Sequence, residues 1–170
     1  MIKKSYLYIF SILAPIFAIT AFTLSLASMN SASITFEDVM LWAEDSFLHY
    51  NSHYNAGAHI TFFLVLFAIG TLSFVVMIPV LMKKRNYLLI PFLIDFYVAF
   101  ILSFIPMLAF LYLDFNFGLN GIGIIDVDIY AMVISVISLV LSIGVLTSVI
   151  LNMKKTTFKY DPVVIHNFKN

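Results

Sequence analysis

The chain has 170 residues, a formal net charge of zero at pH 7 and no cysteine. Hydrophobic residues make up 62% of it and charged residues only 11%, too few to coat a soluble globule, so a membrane protein is predicted. The missing cysteines exclude disulfide frameworks, iron–sulfur clusters, thiolate-bound zinc and thiol redox chemistry, and the short basic clusters carry no nucleic-acid readout motif.

Four long apolar runs organise the chain. They cover approximately residues 5–27, 60–82, 87–113 and 129–153. Each run exceeds the ~20 residues that a membrane-spanning helix needs. The sequence therefore predicts an all-α integral membrane protein in which residues 1–153 form a four-transmembrane-helix bundle. Outer loops are predicted at 28–59 and 114–128, and a basic tail follows at 154–170.

Charges are divided between the two sides of this predicted bundle. All nine Lys and Arg residues lie near the termini or in the short connection at 83–85, whereas most acids lie in loops 28–59 and 114–128. Basic residues accumulate in cytoplasmic loops of membrane proteins. Both termini are therefore predicted to be cytoplasmic, with the two longer loops outside.

The first apolar run combines features of a spanning helix and of a signal peptide. Lys3 and Lys4 precede it, and Ser25, Leu26 and Ala27 resemble a small-residue cleavage site. Its apolar core is longer than the ~7–15 residues usual for a signal peptide, so an uncleaved span is predicted. Cleavage would instead leave three helices and an outer N-terminus.

Small residues recur along the first and fourth runs at alternating spacings of three and four. They are Ala14, Ala18, Ala21, Ser25 and Ser28 in the first run, and Ala131, Ser135, Ser138 and Ser142 in the fourth. Such stripes allow helix backbones to approach closely in a membrane. The pattern predicts that these two helices use the stripes for packing in a bundle.

The first outer loop is predicted to contain a short amphipathic helix. Thr35 followed by Asp38 has the form of a capping box, and an apolar face then recurs at helical spacing. The members of that face are Phe36, Val39, Met40, Ala43 and Phe47. Aromatic residues with a polar tip favour the membrane interface, so Trp42, Tyr50 and Tyr54 are predicted to anchor the loop there.

A set of possible metal ligands lies in the same loop. Asp45, His49 and His53 are spaced one helical turn apart, and His59 follows at the start of the second run. Imidazole and carboxylate suit zinc or copper, so a transition-metal site is one interpretation. The other is a hydrated loop rich in polar side chains. No other cofactor is predicted.

Asp95 is the acidic residue that lies deep inside an apolar run. At 1.5 Å per residue it lies ~13 Å from the cytoplasmic end of the third run. Acids at such depth mark ion paths, proton relays or pairing sites. Ser103 continues its stripe, and Ser73 and Ser138 could offer hydroxyls. A single interhelical hydrogen bond, a titrating site and pairing with another subunit all remain open.

Two main functional hypotheses follow from these features. The first is a non-catalytic subunit that assembles with, or stabilises, a larger complex of other membrane proteins, because helix-packing stripes are present and no catalytic constellation is evident. The second is a small ion, proton or metal transporter that uses Asp95 and the outer histidines and works as a homo-oligomer, because four helices enclose little space. A membrane enzyme with a metal-bound water at Asp45, His49 and His53 ranks third.

Overall fold

The structure is a computed structural model that describes residues 4–48, 56–117 and 125–153. Its helices are listed in chain order by their bounds. They are α1 (Lys4–Ser31), α2 (Phe36–Leu48), α3 (Ala56–Lys83), a short 3-10 turn (Tyr87–Leu89), α4 (Ile90–Phe117) and α5 (Ile125–Asn152). Within the described ranges the fold is entirely helical. Four of these helices, α1, α3, α4 and α5, are long and apolar enough to cross a membrane, as predicted.

The four long helices continue beyond the predicted apolar runs, always at the same end of the bundle. Helix α1 ends at Ser31 rather than Ala27, and α4 ends at Phe117 rather than Leu113. Helices α3 and α5 begin at Ala56 and Ile125, about one turn before the predicted starts. Hydropathy predicts only the part of a helix that lies in the hydrocarbon layer. Backbone N–H and C=O groups at the edge of that layer still need hydrogen-bond partners, and one further helical turn provides them.

Helices α1, α4 and α5 form the closely packed part of the bundle. All the predicted small residues of α1 and α5 are buried, and α1 and α5 share the most extensive contact of any helix pair. The Ser138 hydroxyl donates a hydrogen bond to the Ala14 carbonyl of α1 at 2.9 Å. The Ser135 hydroxyl donates to the Ser103 carbonyl of α4. Close backbone approach therefore joins α5 to both of its neighbours.

Helix α3 is attached to this core mainly through aromatic rings of α4. Phe74 stacks on Tyr97 with ring centroids 4.2 Å apart, and Phe67 meets the edge of Phe104 at 5.5 Å. Between these contacts the Phe100 ring lies directly against Gly70, at a position where a Cβ atom would overlap it. Glycine thus permits a close approach that any other residue would obstruct.

The turns after α1 and α3 are built alike. Ser33 and Arg85 adopt positive φ angles of 57° and 53°. After α1, the Ile34 N–H bonds to the Met29 carbonyl, and after α3 the Asn86 N–H bonds to the Leu81 carbonyl, each at 2.9 Å. These are Schellman caps, which close a helix by placing one residue in the left-handed region.

Helix α2 is held at its start by reciprocal hydrogen bonds. The Asp38 N–H donates to the Thr35 hydroxyl at 3.2 Å, while the Thr35 hydroxyl and N–H donate to the Asp38 carboxylate at 2.7 and 2.8 Å. The predicted capping box is therefore present. The Thr35 hydroxyl, together with the Thr35 N–H, holds the pKa of Asp38 below its usual range.

The apolar side of α2 packs onto the bundle. Val39 and Ala43 are buried, and Val39 clusters with Met29 of α1 and Ala109 of α4. Ile34, just before the cap, joins the same cluster and completes a hydrophobic staple with Val39. Helix α2 consequently lies against α3 and α4 at the end of the bundle that is opposite Arg85.

Candidate functional site

Asp95 lies within the apolar part of α4. It is about 12 Å along the helix axis from Tyr87, where the corresponding candidate span begins. The residue is half-buried: Leu93 and Phe96 on one side are buried, whereas Ile94 and Val98 on the other are exposed. The side chain therefore stands at the boundary between the bundle and its surroundings rather than in the bundle interior.

The hydroxyls that the sequence suggested as partners for Asp95 bond to backbone carbonyls instead. Ser138 donates to Ala14, and Ser73 donates to Ile69 of its own helix. The Ser103 hydroxyl donates to the Ala99 carbonyl at 2.7 Å. Among the described residues, none forms a hydrogen bond or an ion pair with the Asp95 carboxyl. The structure thus does not join the four residues of this predicted polar site.

The predicted metal ligands are only partly covered by the structure. His49 and His53 lie outside the described residues, whereas Asp45 is on α2 and the His59 ring lies 6.4 Å from that of Phe115. Within the described part of the chain, no three side chains of His, Asp or Glu come together as metal ligands. The zinc or copper site stays a prediction.

Trp42 packs against the end of α4. Its ring meets Tyr112 edge to face, with centroids 5.6 Å apart, and lies 6.0 Å from Phe115. The side chain is half-buried by these contacts. Trp42 therefore fastens α2 to the bundle. Tyr50 and Tyr54, the other predicted anchors, lie outside the described ranges.

A cavity of about 560 Å³ lies beneath α2, between α3 and α4. All the residues that face it are apolar, with two exceptions. The apolar lining residues are Phe36, Met40, Leu41, Ala43 and Phe47 of α2, Ile60, Phe63, Leu64 and Phe67 of α3, and Ile101, Phe104, Ile105 and Leu108 of α4. The exceptions are Glu37 and Glu44, both exposed on α2. We call this cavity the α2–α3–α4 groove.

Sequence reasoning missed this groove. The apolar face of α2 was recognised, but its position over the space between α3 and α4 depends on how three helices pack. One available signal was the spacing of Glu37 and Glu44, because residues seven apart share one side of a helix and these two flank the apolar face.

Comparisons place no further constraint on the chain. No protein-family model, no curated protein and no solved structure matches it. The class defined by the fold is therefore a multi-pass helical membrane protein with four candidate spans.

Proposed function

We propose that this chain is a non-catalytic subunit that assembles with, or stabilises, a larger membrane protein complex. The observation that carries the proposal is the position of Asp95 at the edge of the bundle, half-buried and without a hydrogen-bond partner among the described residues. Ionisable residues inside a membrane pair with one another or with backbone carbonyls. A polar or basic group on a neighbouring membrane chain is the partner that fits this position.

The packing of α1, α4 and α5 supports the same proposal. Small buried side chains of α1 and α5 allow close approach, and the hydroxyls of Ser135 and Ser138 donate to carbonyls of α4 and α1. These two polar groups of the core thus hold helices together. A rigid scaffold of this kind can present Asp95 to a partner at a fixed place.

The orientation of the subunit is part of the proposal. The fold collects Glu37, Glu44 and Asp114 at the α2 end of the bundle and Lys83, Lys84 and Arg85 at the opposite end. Basic residues favour the cytoplasmic side. The end with Arg85 and both termini therefore face the cytoplasm, and α2 lies at the outer surface.

Extraction of the intact protein from its native membrane tests this function. In mild detergent, we expect the wild-type chain to co-purify with other membrane chains in fixed proportion. Asp95→Leu should lower the yield of the partner about tenfold or more, because it removes the group that the partner contacts. Val98→Leu, one turn away on the exposed side of α4, serves as the matched control and should retain the partner.

Stability measurements separate a lost partner from a damaged fold. Replacement of a partly buried carboxyl by leucine should leave the thermal unfolding midpoint of the isolated chain unchanged or raise it. If wild-type protein emerges without any partner chain, the subunit proposal fails. A titrating role of Asp95 in ion or proton transport would then become the leading function.

A further inference from the structure

We propose that the α2–α3–α4 groove binds one phospholipid with an ammonium headgroup. One of its two acyl chains would occupy the apolar groove, the other would remain in the surrounding bilayer, and the ammonium would lie near the carboxylates of Glu37 and Glu44. This proposal does not depend on whether the chain has protein partners.

The dimensions of the groove fit a lipid chain. Its lining residues extend from Ile60 to Phe67 on α3 and from Ile101 to Leu108 on α4, so it runs about 10 Å along the helices. One leaflet of a bilayer is about 15 Å thick, half of the hydrocarbon layer. The groove therefore covers roughly the upper two thirds of the leaflet next to α2.

The size of the groove suits a single flexible chain. The observed 560 Å³ lies within the range of about 300–1,000 Å³ that is typical of small-ligand sites. An acyl chain is flexible and apolar, so it can follow this lining without burying an unpaired polar group.

The charge at the rim selects the headgroup. Glu37 and Glu44 are exposed on the groove side of α2, and the remaining lining residues are apolar. Two carboxylates near the edge of the hydrocarbon attract the ammonium of a zwitterionic headgroup and disfavour a headgroup of net negative charge. A primary ammonium can also donate hydrogen bonds to carboxylate oxygens, which a quaternary ammonium cannot do. Phosphatidylethanolamine thus fits the site better than phosphatidylglycerol or phosphatidylcholine.

Native mass spectrometry of the full chain in detergent tests the proposal. Dioleoyl phosphatidylethanolamine and dioleoyl phosphatidylglycerol would be added separately over a concentration series. We expect one retained phosphatidylethanolamine per chain, and an affinity about three- to tenfold higher than for phosphatidylglycerol. Equal affinities for the two lipids would overturn the proposal.

Two variant pairs localise the bound lipid. Leu64→Trp fills the groove and should abolish retention, whereas Leu72→Trp, exposed on α3 outside the groove, should not. Glu44→Gln should reduce the preference for phosphatidylethanolamine, while Asp114→Asn, which removes one charge at the same end of the bundle but outside the groove lining, should leave it unchanged. Retention that is unaffected by Leu64→Trp, or a change of subunit number in that variant, would contradict a lipid in the groove.

Discussion

Thr35 and Asp38 make the start of α2 sensitive to pH. Because the hydrogen bonds from Thr35 lower the pKa of Asp38 in the folded state, they stabilise α2 above the unfolded-state pKa of about 3.9. This stabilisation is lost as the pH falls through the lower folded-state value. The direction follows from the carboxylate, which accepts hydrogen bonds more strongly when it is ionised than when it is protonated.

We expect Trp42 to report the loss of this cap. Its fluorescence should stay constant from pH 7 to about 4.5 and change below about 3.9, as α2 loosens from Tyr112. In Asp38→Asn, whose amide oxygen is neutral, accepts the two bonds from Thr35 more weakly and does not titrate, the acid transition should be smaller and the neutral-pH spectrum already shifted. Glu37→Gln, exposed and outside the cap, is the matched control. An identical acid transition in Asp38→Asn would contradict this role.

The capping box of α2 was predictable from the sequence, whereas the hydrogen bonds of the serines in the long helices were not. The capping box requires only Thr35 and Asp38, three positions apart, so the sequence contains all of it. The hydrogen bonds of Ser73 and Ser138 were not predictable, because each hydroxyl can donate either within its helix or across an interface. The rotation of each helix decides between these acceptors, and that rotation depends on packing along the whole span.

The contact between Gly70 and Phe100 controls the docking of α3 onto α4. A methyl group at Gly70 would overlap the Phe100 ring, which is buried and in contact with Phe96 and Phe104. Gly70→Ala should therefore destabilise the protein by about 1–3 kcal/mol through overpacking. The measurement is the unfolding midpoint in detergent on titration with sodium dodecyl sulfate.

Gly144→Ala is the matched control for this prediction. A Cβ atom at Gly144 would lie 3.2 Å from the nearest atom of Phe10, a tight contact that a small shift relieves. Both variants gain the same helix propensity, so the difference between them isolates the ring contact. We expect Gly144→Ala to remain close to wild type. Equal midpoints for the two variants would show that Phe100 moves aside at little cost.

The packing of α1 and α5 through their small-residue stripes was predictable from the sequence, but the attachment of α3 to α4 was not. Ala and Ser at three- and four-residue spacings indicate close helix contact wherever they recur, as in α1 and α5. The position of a phenylalanine in the sequence does not indicate a helix contact in a membrane protein, because phenylalanine is equally suited to lipid and to a helix interface. Phe62 is exposed, whereas Phe100 and Phe104 are buried, although all three lie in apolar runs.

The separation of charge between the two ends of the bundle predicts that the end with Arg85 faces the cytoplasm and the end with α2 faces outward. The chain has no cysteine, so a single introduced thiol reports on one position. In intact cells, Asn30→Cys near α2 should react with a membrane-impermeant maleimide. Leu88→Cys, which lies beside the basic turn, should react only after the membrane is permeabilised.

Permeabilised membranes provide the control for accessibility, because both thiols should react there. If Leu88→Cys reacts in intact cells and Asn30→Cys does not, the orientation is reversed. If both react in intact cells whose cytosolic thiols stay unlabelled, both orientations coexist, which contradicts the proposed topology.

Helices α2 and α3, which both line the groove, are attached to the bundle by different kinds of contact. Helix α2 is joined through the buried Val39 cluster to α1 and α4, whereas α3 contacts α4 mainly through the faces and edges of aromatic rings. Dispersion contacts of this kind have little directionality, so α3 can shift against α4 at a lower cost than helices that are joined by hydrogen bonds between buried groups. Widening of the groove would therefore displace α3 and leave the other helices in place.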